Sequence, residues 1–142
     1  MQKISFHNAD VSFRLTDKKG LKQFIPFLFQ RENVSLQQLS YVFCSDDFLL
    51  DINQQHLQHD FYTDIITFDL SESDAVNGEI YISIERVKEN ALNLNAAFEI
   101  ECLRVLFHGA LHLCGYKDKT KTQQTAMRKK EEEYIELYLL RQ

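Results

Sequence analysis

The stretch that most restricts how this chain can fold is FEIECLRVLFHGALHLC, residues 98–114. From Leu103 onward it has too many apolar residues for any solvated face, so a helix here must lie inside the core. The polar exceptions are Arg104, His108 and His112, spaced four apart, with Glu101 about one turn earlier. Residues at that spacing stack on one helical face. A stripe turned to water would carry Lys, Glu or Gln. One that carries a guanidinium and two imidazoles on a buried helix calls for partners. Gly115 follows directly, where a helix-terminating glycine belongs.

Two imidazoles four residues apart can share one metal ion, each nitrogen ~2.0–2.1 Å from it. Position 109 is Gly, so the glutamate base of a HExxH motif is missing. Catalytic metal sites keep three protein ligands and one open position, so a third donor must come from elsewhere. Gly115 lets the chain reverse, and Asp118 can then return its carboxylate to His108 and His112. Cys114 is the competing donor, but it points off the face that carries His108, and Asp118 is preferred.

Around this helix the pattern predicts a single α+β (mixed α/β) domain, with strands first, helices between them and a helical C-terminal half. Alternation predicts strands over 3–6, 11–15, 39–44, 65–68 and 79–84, the last two paired across a polar turn at 71–78. Apolar periodicity predicts helices over 20–33, 48–57, 85–95 and 120–140, with Pro26 distorting the first or delaying its start. Asp46 and Ser83 are the expected caps of the second and third helices. At 142 residues the chain is long enough for one real core, which folding would clear of roughly 70% of its unfolded surface.

Composition excludes several classes. Nothing approaches the ~18 consecutive apolar residues of a membrane span, and the N-terminus lacks the layout of a secretory signal. Cys44, Cys102 and Cys114 form no CxxC and read as reduced core residues of a cytoplasmic protein. A net charge of -5 argues against bulk electrostatic gripping of nucleic acid, though not against a local basic patch. His56 and His59 lack a third donor and are not read as ligands. Asp64 reads as a hydrogen-bonding residue at a strand start. The run at 128–133 reads as an exposed face with Arg128–Glu132 and Lys129–Glu133 pairs, each worth ~0.2–0.5 kcal/mol.

At the histidine motif the chain resembles the YbeY-type metal-dependent endoribonucleases of bacterial ribosomal RNA maturation, whose signature reads HGxLHLxGYDH. His108, Gly109, Leu111, His112, Leu113, Gly115 and Tyr116 fall in register. Thr63 to Phe68 matches a TDVLSF segment, Asn53 a helix-ending Asn, and Gly78 to Ser83 a GDIxIS strand, so the likeness spans about residues 50 to 120. In register, the family's third histidine is Asp118 and the Asp before it is Lys117. Leu57 stands where the family carries an arginine, and Arg104 is the candidate to replace that charge.

The resemblance implies a zincin-like fold with one divalent ion, zinc, held by His108, His112 and Asp118. It further implies cytoplasmic hydrolysis of single-stranded RNA in ribosome biogenesis, with precursor ribosomal RNA and ribosomal subunit proteins as partners. Lys117, Lys119 and Lys121 then fall where a phosphate backbone could pass. The rival readings are a peptidase on the same scaffold, an Fe(II) facial triad, and a non-catalytic ribosome-assembly factor with a structural metal.

Overall fold

The computed structural model describes residues 3–57, without the Leu57 side chain, and 63–141. The elements run β1 (Ile4–Asn8), α1 (Lys18–Arg31), β2 (Leu36–Cys44), α2 (Asp46–Leu57), β3 (Ile65–Asp69), β4 (Val76–Ser83), α3 (Ile84–Asn93), α4 (Phe98–Leu113) and α5 (Lys121–Leu140). They build a mixed α+β domain on a four-stranded sheet ordered β1-β2-β4-β3. β1, β2 and β4 are parallel, and β3 joins antiparallel at the edge, as the polar turn predicted for the β3–β4 pair.

Strand alternation sends successive side chains to opposite faces. Ile80 and Ile82 of β4 face α4, while Tyr81 between them stacks with Phe48 of α2 and meets Phe68 of β3 edge-on on the other side. α4 is the central helix, with Leu106, Phe107, Ala110 and Leu111 fully buried. Each such Leu or Phe contributes ~1.5–3 kcal/mol of transfer free energy. The Tyr41 hydroxyl donates to the Leu106 carbonyl at 2.8 Å, so the largest polar-tipped side chain beneath the helix is satisfied. Gly109 lets the helix backbone settle onto the sheet, since a Cβ there would lie 2.7 Å from Ile80 Cδ1 and 3.1 Å from Ile65 Cδ1.

The structure corrects four expectations. Residues 11–15 form no strand; Val11, Phe13 and Leu15 turn inward and Ser12 and Arg14 outward along an unladdered segment, with Phe13 edge-on to Phe43 and Phe98. Alternation there reports one-sided burial without pairing. α2 is capped by Ser45, whose Oγ accepts from the Phe48 amide at 3.1 Å. Asp46 instead accepts from the Ser83 hydroxyl at 2.7 Å and pairs with Arg86, tying α2 to α3. α1 runs through Pro26 and starts at Lys18, with Asp17 as its cap. Glu133 pairs with Arg31 and Lys130 rather than with Lys129. No helix among the described residues is long and apolar enough to cross a membrane.

Candidate metal centre

α4 ends in a two-bond turn. The Gly115 amide bonds the His112 carbonyl at 3.0 Å and the Tyr116 amide bonds the Leu111 carbonyl at 3.1 Å, with Gly115 at φ 107°. This is the Schellman arrangement, and its left-handed residue is cheapest as glycine. The turn sends the chain back along α4. Asp118 arrives beside the two histidines just before Thr120 caps α5 with a capping box to Gln123.

Three atoms able to ligate a metal meet at that point. His108 Nε2 and His112 Nε2 are 3.0 Å apart, and Asp118 Oδ2 lies 3.2 Å from the first and 3.3 Å from the second. An ion with tetrahedral bonds of ~2.0–2.1 Å spaces its ligands by about 3.3–3.4 Å, so the triangle fits one open-sided metal ion. The far ring nitrogens agree. His112 Nδ1 is 2.9 Å from the Tyr116 carbonyl, which can only accept, so that nitrogen carries a proton and Nε2 is the ring atom left to face an ion. His108 Nδ1 is 2.5 Å from Glu131 Oε2, a carboxylate partner of the kind that orients metal-binding histidines. Burial opposes charging of the His108 ring, but the Glu131 bond and the Asp118 and Asp64 charges outweigh it and raise its pKa. The same field favours a cation at the centre.

Cys114, the competing donor, is the helix C-cap and packs against the core. Burial pushes its thiol up to about 12, far from the thiolate a metal needs. Arg104 is 9% exposed and lies among Glu101, Glu131 and Glu132 at 3.3, 3.5 and 2.8 Å. Lys117, Lys119 and Lys121 are all exposed, and of the three Lys119 lines the groove along β3 with Thr63, Thr67 and Asp69. A second groove runs between α4 and α5, past Gln124 and Arg128. The two share Asp64, Ile65, His108 and Asp118, so the candidate centre sits where they join. Asp64 accepts from the Asn90 amide at 3.3 Å, its main-chain carbonyl accepts from Ser83, and burial raises its carboxyl pKa. His56 is exposed and edge-on to Phe68, and His59 lies outside the described residues.

Glu131 is the site residue that the sequence reading missed. The sequence places it in the charged run at 128–133, which reads as an exposed face, but it is 4% exposed. The available signal was its place on the stripe Met127, Glu131, Tyr134, Ile135 and Tyr138, whose other members are all buried apolar or aromatic residues.

The family model described as Endoribonuclease YbeY matches residues 3–138. The chain belongs to the YbeY endoribonuclease family. It is 45% identical over 139 residues to a Flavobacterium psychrophilum protein named Endoribonuclease YbeY, covering 98% of this chain and 99% of that one. A Christiangramia forsetii protein of the same name is also 45% identical, covering 98% and 96%. The solution structure of TM1509 from Thermotoga maritima superposes with a TM-score of 0.69 at 30% identity, over 95% of this chain and 88% of that one. The family likeness therefore extends beyond residues 50 to 120 and takes in the first 45 residues as well.

Proposed function

We propose that this chain is a metal-dependent endoribonuclease that hydrolyses phosphodiester bonds of single-stranded RNA in the maturation of ribosomal RNA precursors. The observation that supports this most directly is the triangle of His108, His112 and Asp118 at the junction of two open grooves. Structural metal sites are closed by four protein ligands, while catalytic ones keep a position open. Zinc fits the nitrogen-rich donor set and the spacing.

When bound, such an ion supplies Lewis acidity, activating water near neutral pH and polarising a phosphoryl oxygen. The chain's own residues set the rest. His108 and His112 have their Nδ1 atoms engaged by Glu131 and by the Tyr116 carbonyl, which leaves each Nε2 as the atom turned toward an ion. Lys119 faces the β3 groove beside Asp118, where a phosphate would offset its charge, with Lys117 on the same loop and Lys121 at the start of α5. Arg104, considered as a substitute for the arginine missing at Leu57, is committed to carboxylates and acts on the site indirectly. Gly109 faces Ile80 and Ile65, so this scaffold has no room for the glutamate base of a HExxH peptidase. The reaction fits a cytoplasmic enzyme working with ribosomal subunit proteins.

The test compares wild type with His112→Ala on single-stranded and structured RNA, with bound metal measured by mass spectrometry. Zinc in the wild type, and cleavage of single strands that the variant loses while still folded, is the expected result. Equal cleavage by both proteins would refute the assignment, and an iron-loaded, zinc-free wild type would replace zinc.

A further inference from the structure

Arg104, Glu101 and Glu131 are 9%, 5% and 4% exposed, an environment charged residues enter only when paired. A simple interhelical ion pair would need one cation and one anion. Here a single guanidinium lies within 3.5 Å of three carboxylates. Glu131 divides its two oxygens: Oε1 lies 3.5 Å from Arg104 Nη1, and Oε2 lies 2.5 Å from His108 Nδ1. One buried carboxylate thus joins a fixed cation to a ring whose other nitrogen is a ligand atom.

We propose that Glu131 and Arg104 are positioning residues of the metal centre: Glu131 fixes the His108 ring with Nε2 toward Asp118, and Arg104 fixes Glu131. The proposal rests on the reading of His108, His112 and Asp118 as metal ligands and assigns where that site's affinity is set. A ring free to flip about its last torsion presents either nitrogen. A short charge-assisted bond selects one orientation and one tautomer, and makes the ligand more basic. Like charges on Glu101, Glu131 and Glu132 would drive the three side chains apart. Arg104 Nη1 sits as an ion-pair partner between Glu131 Oε1 and Glu132 Oε1, and this leaves the other Glu131 oxygen for the histidine. His112 needs no such device, because its partner is the Tyr116 main-chain carbonyl.

The experiment titrates the full chain with Zn2+ against a chelator, and with Co2+ by visible absorption, in the absence of RNA. Leaving RNA out means that failure of the nuclease reading does not affect the result. Glu131→Gln keeps the side-chain size and an acceptor oxygen but removes the charge. We expect it to weaken Zn2+ binding 10–100-fold, the usual range for such outer partners, and to shift the Co2+ spectrum while the apoprotein still melts near wild type. A merely structural ion pair would lower the melting temperature and leave affinity and spectrum unchanged, which would overturn the proposal. Glu131→Asp is the second variant: a loss of affinity supports the proposal and wild-type affinity overturns it. Arg104→Met should weaken binding several-fold in the wild-type background and add nothing in Glu131→Gln. Equal losses in both backgrounds would refute the role of Arg104. A wild type that binds Zn2+ no tighter than His112→Ala would remove the metal centre, and this proposal with it.

Discussion

His108 and His112 aim the same ring atom at the same point, yet the two sides of the site hold them in opposite ways. His112 is held within its own turn, by a carbonyl four residues along the chain. His108 is held by a side chain 23 residues away on another helix. The turn side is built from local hydrogen bonds and can form whenever α4 forms. The α5 side exists only once α5 has docked, and it docks through an aromatic contact set in which Tyr134 and Tyr138 meet Phe24. The candidate metal site therefore depends on two kinds of structure, one short-range and one long-range.

The largest effect should come from undocking α5. Tyr134 is fully buried, so Tyr134→Ala should cost about 3–5 kcal/mol in denaturant unfolding. Zn2+ affinity should fall with it, because Glu131 lies one turn away on the same helix. Unchanged affinity would mean that His108 does not rely on the long-range side. Asp118→Ala removes the proposed third ligand without touching the core. We expect a loss of more than about 100-fold in Zn2+ affinity, or ~2.7 kcal/mol, with little change in apoprotein melting; unchanged metal content would move the third ligand elsewhere.

Gly115→Ala attacks the turn side. Its β-carbon would meet nothing within 4 Å, so the strain is purely that of an L-residue at φ 107°. A cost of about 1–2 kcal/mol in thermal unfolding is expected, together with weaker metal binding as the Tyr116 carbonyl shifts. Tyr116→Phe should have the smallest effect. It removes the 2.8 Å bond from the Tyr116 hydroxyl to Glu32 but keeps the carbonyl that His112 uses, so stability should fall by ~1 kcal/mol with metal affinity unchanged.

The Tyr116→Phe variant also carries a pH signature. Burial disfavours ionised Glu32, but the hydroxyls of Tyr134 and Tyr116 and the Lys130 charge outweigh it and hold the carboxyl below its usual range. A depressed carboxylate stabilises the fold above its unfolded pKa of ~4.3, and that contribution disappears as pH falls through the folded value. The stability gap between wild type and Tyr116→Phe should therefore narrow in acid. A gap that is constant with pH would show that Tyr116 does not act on ionised Glu32.

The same short-range and long-range division explains what the sequence made legible. The α4 stripe, its glycine stop and the returning Asp118 all lie within one turn or its rebound, so spacing alone was enough to bring them together. β3 and β4 were equally readable as neighbours across a short turn. The partnership of Glu131 with His108 depends on how two helices pack, and nothing local marks it beyond an acid on an apolar stripe. Val11 to Leu15 misled for a related reason, since alternating burial arises beside any apolar wall and carries no information on ladder hydrogen bonds. The cap of α2 was missed by one residue because Asp46 was drawn into long-range bonds with Ser83 and Arg86, leaving Ser45 to take the local role.

All three candidate ligands fall between His108 and Asp118, a span so short that an unfolded chain already keeps them within reach of one another. Cross-links gain most when they close long loops, and an ion that also binds the unfolded chain stabilises the native state less. An ion at this centre would therefore do little to staple the domain together. Chelation should yield a folded, reloadable protein, and which metal it carries would follow the ions on offer in its surroundings.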